Sequence, residues 1–199
     1  TTTIFPDLVS DNPIEIGILD ILILTCKSYS IKEILNTYKD CINAETTIIT
    51  LQNVVNAKEI IHEVLPNVAN ILQGCIYVAS NVKQPGHVQH LGGPGKIFVG
   101  GKENQSLIDL LLGAGLDITY LPNINNILWK KHLFVAPVAA ITSAYKVTFG
   151  QLLEDQNLLH ILQNMMLEIQ SLAKKNHITL TKEDMQTSKD LLTKFPFES

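Results

Sequence analysis

The sequence predicts an α/β region followed by an all-α region. Three observations carry this. Short aliphatic or β-branched runs alternate with helix-spaced apolar residues through the first half of the 199-residue chain. Strand signals stop after residue 121. Between the two regimes lies PNINN (122–126), a proline- and asparagine-rich boundary that divides the chain into 1–123 and 124–199.

DILILT (20–25) is a short, nearly continuous apolar run, the mark of a strand buried on both faces. Residues 31–38 follow with helical spacing, TTIITL (46–51) is β-branched and strand-like, and 57–65 are helical again. Strand, helix, strand, helix at this spacing predicts a parallel sheet of βαβ units. After Gln73 the pattern changes. CIYVAS (75–80) and HVQHLGGPGKIFVGG (87–101) read as two strands joined by a Gly/Pro turn, an antiparallel hairpin near a sheet edge. A helix over 106–112 and a short strand over 116–121 complete the region. Residues 127–145, 152–175 and 182–194 then carry helical periodicity.

Composition narrows the function classes. Apolar residues make up 46% and charged residues 17%, which is a globular balance. The formal charge is −4 with no basic tract, which argues against a nucleic-acid partner. The longest apolar run, 18–26, contains Asp20 and is too short to cross a bilayer, so no membrane partner is expected. Cys26, Cys41 and Cys75 are odd in number and lack metal-ligand spacing, which predicts reduced thiols in a cytoplasmic protein. The opening TTTIFPDLVS has no methionine and reads as the middle of a domain, so a piece of a longer chain is expected.

Five features bear on chemistry. Lys27, in TCKSY, follows a predicted parallel strand, and ligands of open α/β sheets bind outside the carboxyl ends of such strands. An ordinary solvated loop lysine fits the position equally well. Asn53 ends LQN in the equivalent place after the next strand. It could hydrogen-bond a ligand, although capping the helix near Ala57 fits the residue type better. The glycines of LGGPGKIFVGG lack the strand–GxGxxG–helix setting of a phosphate loop and suit a hairpin turn. His87 and His90 have no third ligand nearby, so no metal is proposed. Finally, LWKKHLFVAP puts Lys131 on one helical face with Val135, Val138, Ala139 and Thr142, and turns Lys130 elsewhere. An ammonium at the mouth of an apolar surface can donate a proton to a developing alkoxide. A snorkelling stem with its head in water is the commoner arrangement for such a lysine, and the residues by themselves favour it slightly.

Taken in order, DILILTCKSY, LQN, QGCIYVASNVKQPGHVQHLGGPGKIFVGG, LWKK with ITSAY behind it, FGQLL and MMLEIQSLAKKNHITL resemble the ketopantoate reductase (2-dehydropantoate 2-reductase) family. The resemblance spans almost the whole chain. It implies a Rossmann-type NADP-binding domain, partial here, followed by a helical substrate and dimerisation domain. It further implies NADPH-dependent reduction of a 2-oxo acid to the 2-hydroxy acid, of the pantothenate-biosynthesis type. By the same resemblance Lys131 is the catalytic acid, Asn53 touches cofactor and substrate, and Lys27 lies beside the cofactor. The partners it implies are a small 2-oxo acid and, left open, a second copy in a homodimer.

The departures point to the substrate. Val54 stands where LQN is usually followed by glycine. Val135, Ala139 and Phe149 stand where ketopantoate-specific members carry substrate-binding asparagines, so Val135 and Ala139 would line an apolar pocket. A reductase for a more apolar 2-oxo acid, or a dinucleotide-binding protein without turnover, are the alternatives. The family's glycine-rich loop would precede Thr1, and its serine and glutamate positions would follow Ser199. The 199 residues alone are therefore not expected to be a competent enzyme.

Overall fold

A computed structural model describes residues 2–193. The chain divides into two compact units, Thr1–Gln52 with Asn56–Ile124, and Asn53–Val55 with Asn125–Ser199. Lys194, where the last predicted helix ends, lies outside the described residues.

The first unit is built on one five-stranded sheet: β1 (Ile21–Leu24), β2 (Thr47–Thr50), β3 (Ile71–Gln84), β4 (His87–Gly101) and β5 (Ile118–Tyr120), in that order. β1, β2 and β3 run parallel, β4 returns antiparallel to β3, and β5 pairs parallel with β4. Its helices are α1 (Pro13–Ile16), α2 (Ile31–Thr37), α3 (Ala57–Val64) and α4 (Gln105–Gly113).

Period-two alternation explains why both faces of the central strands are covered. Ile48 and Ile71 join Leu24, Ile31, Leu35 and Ile61 in one core, on the side of α2 and α3. Their strand neighbours Ile49 and Leu72 join Val99, Leu107, Ile108 and Leu111 in the other, on the side of α4. β2 is accordingly buried throughout.

DILILT departs from expectation. Only Leu24 of β1 is buried, and Ile23 is 43% exposed. β1 is the outermost strand among the described residues, and the α4-side core reaches only Ile21 of it. The predicted hairpin is present, with its turn between Gln84 and His87, where Gly86 supplies a φ of 75°. β5 adds beyond β4, so the hairpin is not itself the edge. Past Tyr77 the two strands pair only with each other, and residues 80–91 are all exposed. Gly100, in β4, is required by space, since a Cβ there would meet the Leu121 carbonyl and the Ile124 side chain.

The second unit is helical: α5 (Ile124–Tyr145), α6 (Phe149–Glu154), α7 (Gln156–Lys175) and α8 (Lys182–Leu192). Its core gathers Trp129, Leu133, Val138 and Ile141 of α5 with Leu152, Leu158, Leu162, Met166, Ala173, Leu180 and Leu192. Among the described residues no strand pairs into the sheet from this unit. The helix predicted over 152–175 is two helices. Asp155 is extended (φ −93°, ψ 110°), and its carboxylate accepts the Asn157 and Leu158 backbone N–H groups, which ends α6 and starts α7.

Candidate functional site

Two groups of candidate residues follow from the elements that carry them. The first surrounds the carboxyl ends of β1 and β2, whose last residues, Leu24 and Thr50, are paired. Lys27 lies three residues past Leu24, exposed, with extended backbone (φ −65°, ψ 147°) ahead of a 3-10 turn, Ser28–Ser30. Its side chain caps nothing there. Gln52, two residues past Thr50, is 6% exposed, and its Nε2 donates to the Cys26 Sγ at 3.6 Å. This single contact ties the segment leaving β2 to the segment leaving β1, one residue before Lys27.

Among the described residues, two buried polar atoms in this region have no hydrogen-bond partner: the Gln52 Oε1 and the Thr50 Oγ1. Both residues are more than nine-tenths buried. Leaving a buried polar group unpaired costs about 1–3 kcal/mol, so two within three residues form a local concentration of unmet polar capacity.

Asn53 follows at once, but it belongs to the second compact unit, into whose core Val55 packs. The capping role favoured by its residue type is not the one it plays. The residue preceding α3 is Asn56, and it caps without a side-chain bond. Asn53 is exposed and forms no side-chain hydrogen bond among the described residues.

The second group sits on α5. Adjacent helical residues diverge by about 100°, and the two lysines separate accordingly. Lys130 reaches α8, where its Nζ meets the Asp184 Oδ1 at 2.7 Å. The other oxygen, Oδ2, accepts the Thr181 backbone N–H at 2.8 Å and the Thr181 hydroxyl at 3.0 Å in a capping box. Burial pushes the Asp184 carboxyl up, but the hydrogen bonds from Lys130 and Thr181 outweigh it and hold the group below its ordinary value. Lys131 is half-buried and stands on a different face of the helix from Lys130.

The face assigned to Lys131 divides in two. Val138 is buried in the helical core, whereas Val135 is half-buried and Ala139 is exposed. Thr142 turns its hydroxyl back onto the Val138 carbonyl at 2.9 Å. One edge of the predicted apolar stripe therefore packs inward, and the Lys131–Val135–Ala139 edge is left outside the core. Phe149, at the start of α6, packs half-buried against the same core. His132 stacks edge-on against Trp129, one turn back, with centroids 6.0 Å apart, and burial lowers its pKa below the ordinary histidine value.

Other polar clusters carry less. His90 Nε2 contacts the Gly92 and Gly93 carbonyls inside the hairpin. Among the described residues no group of three or more His, Cys, Asp or Glu side chains could hold a metal ion. A polar cavity of about 230 Å³ is lined by Glu45, Thr47, Asn70, Lys102, Glu103 and Asn104. It lies at the amino ends of β2 and β3, away from the candidate residues, and its lysine already donates to Asn70 at 2.8 Å.

Sequence reasoning missed Thr50, Gln52 and Asp184. Asp184 carried a signal, since TKED places a carboxylate three residues after a threonine at a helix start. Thr50 and Gln52 carried none, because an unmet hydrogen bond depends on what surrounds it in space.

Comparison with known proteins gives a consistent result. Residues 1–104 match the family described as Ketopantoate reductase PanE/ApbA, and residues 123–196 match its C-terminal region. The chain is 25% identical over 180 residues to the uncharacterized oxidoreductase YkpB of Bacillus subtilis, which covers 87% of this chain and 58% of that protein. It is 24% identical over 172 residues to a 2-dehydropantoate 2-reductase of Streptococcus pyogenes, covering 83% and 55%. A PanE/ApbA family ketopantoate reductase from Ralstonia eutropha superposes with a TM-score of 0.86 at 19% identity, covering 96% of this chain and 63% of that one. At that identity the superposition establishes the fold. The chain spans less than two-thirds of the length of these relatives.

Proposed function

Because the chain belongs to the ketopantoate reductase (PanE/ApbA) family, we propose that it carries part of the machinery of an NADPH-dependent reductase that converts a 2-oxo acid to the 2-hydroxy acid. Residues 1–123 form the dinucleotide-binding part in this reading, and residues 124–199 the substrate part. The observation that carries it is the sorting of the two lysines on α5. Lys130 pairs with Asp184 on one face of the helix, and Lys131 stands half-buried on another, the face that also carries Val135.

The residues at the carboxyl ends of β1 and β2 suit a dinucleotide. Lys27 offers an exposed ammonium, and Thr50 and Gln52 offer buried polar atoms in want of a partner. When bound, the cofactor supplies the hydride that reaches the keto carbon. Lys131 hydrogen-bonds the keto oxygen and delivers a proton there as negative charge develops. Asn53 aligns the reacting groups, and Lys27 supports the cofactor. Val135 and Ala139 line the space beneath the lysine and contact the substrate's side chain.

A second reading concerns the substrate. Val135, Ala139 and Phe149 offer no hydrogen bond to a hydroxyl or carboxylate, which favours a 2-oxo acid with an apolar side chain over 2-dehydropantoate. Under the first reading the role is in pantothenate biosynthesis; under the second it is not. A reducing, cytoplasmic setting agrees with three cysteines that are odd in number and widely spaced, Cys26, Cys41 and Cys75. A homodimer, through the helical part, completes the proposal.

The test is oxidation of NADPH and of NADH by the full-length protein that contains these residues, across a panel of 2-oxo acids, some hydroxylated and some purely apolar. Turnover with NADPH on any of them supports the reductase reading, and the preferred side chain separates the two substrates. Dinucleotide binding with no turnover on the whole panel replaces it with the non-catalytic alternative.

A further inference from the structure

The unmet hydrogen-bonding capacity at the end of β2 has a use. We infer that Gln52, together with the Thr50 hydroxyl, is a ligand-contacting pair that receives donor groups of the bound dinucleotide, a ribose hydroxyl or the carboxamide N–H. The inference rests on the dinucleotide reading above and adds to it two residues that carry no role there beyond being suited to it.

Placement is the first support. Thr50 is the last residue of β2, and Gln52 follows two residues later, so both lie at the carboxyl end of an inner parallel strand. That is where open α/β sheets receive ligands. The second support is orientation. The Gln52 amide nitrogen is held by the Cys26 Sγ at 3.6 Å, which fixes the carboxamide at the junction of the β1 and β2 ends with its oxygen unpaired. A carboxamide anchored through one atom and unmet at the other is pre-set to accept. The third support is energetic. An apolar side chain of the same shape would avoid the cost of burying an unpaired acceptor, so the polar residue is a net liability to the fold in the absence of a partner.

This distinguishes a ligand role from a structural one. If Gln52 served the fold, its replacement by an apolar isostere would lower stability. If it serves a ligand, the same replacement leaves the ligand-free protein as stable or more so, and weakens binding instead. Thr50 obeys the same logic with valine as the isostere.

The experiment measures two quantities on the full chain for the unaltered protein, Gln52→Met and Thr50→Val: the thermal midpoint without ligand, and the dissociation constant for NADPH by titration calorimetry. Each substitution should leave the midpoint unchanged or higher and weaken NADPH about three- to tenfold, the worth of one hydrogen bond. ADP-ribose identifies the donor. A loss shared by ADP-ribose assigns a ribose hydroxyl, and a loss confined to NADPH assigns the carboxamide. Lowered stability in Gln52→Met, or its failure to fold, makes the residue structural and overturns the inference. Unchanged NADPH affinity in both variants overturns it too, and leaves water as the partner of both atoms. If the unaltered protein binds no dinucleotide at all, the proposed function itself falls, a result distinct from either of these.

Discussion

Replacing Lys131 and Lys130 one at a time should separate chemistry from stability within a single helical turn. Lys131→Ala removes the ammonium that donates to the keto oxygen. Loss of a positioned general acid slows a reaction about 10²–10⁴-fold, which corresponds to about 3–5 kcal/mol of transition-state stabilisation. NADPH affinity should hardly change, because the group acts on the substrate. Lys130→Ala removes instead the ion pair with Asp184, in which the lysine side chain is 44% exposed. The Asp184 side chain is only 13% exposed, but with its lysine open to solvent the pair contributes about 1 kcal/mol, and the Thr181 capping box still occupies the other carboxylate oxygen. For a chain of this size the loss lowers the thermal midpoint by about 2–4 °C and leaves turnover intact. Steady-state rates under saturating NADPH, a cofactor titration and a melting curve on the full-chain variants give all the quantities needed. A large rate loss in Lys130→Ala with none in Lys131→Ala would show that the lysines have been assigned in the wrong order. No rate loss in either would make Lys131 a snorkelling side chain and remove the catalytic reading.

Three further outcomes are expected. Asp184 has its folded-state pKa below the unfolded value, so its stabilisation is present above about pH 4 and is lost as pH falls through the folded value; denaturant midpoints of Asp184→Asn should show a shallower acid decline than the unaltered protein. His132 has a lowered folded-state pKa as well, so the unfolded chain takes up its proton first and stability falls as pH drops below about 6.5; His132→Phe, which keeps a ring against Trp129, should flatten that part of the profile. Gly100→Ala should destabilise the protein by about 1–3 kcal/mol, because the new methyl meets the Leu121 carbonyl and Ile124; an unchanged urea midpoint would show that this approach of β4 to the start of α5 relaxes freely.

The sequence by itself determined the order of elements and the kind of each. Strand and helix periods are local properties, so the alternation up to residue 121 and the helices after it could be read directly. The divergence of Lys130 from Lys131 follows from 100° per residue and needed no tertiary information. The family likeness was legible for the same reason, since its motifs are short and their order survives along the chain.

The tertiary structure decided what each face meets. Periodicity shows which residues share a face and says nothing of what covers it. DILILT reads as doubly buried, yet Ile23 is exposed because no described strand lies beyond β1. Val138 and Ala139 read as one apolar surface, yet the first enters the helical core and the second does not. Asn53 reads as the cap of the next helix, but Val55 packs into the helical core and carries the segment into the second unit. Gln52 could be singled out only once its amide was found against Cys26, in the segment that leaves a different strand, with its oxygen left unpaired. Burial and hydrogen-bond satisfaction are set by neighbours remote in the chain, and those neighbours exist only when the chain is folded.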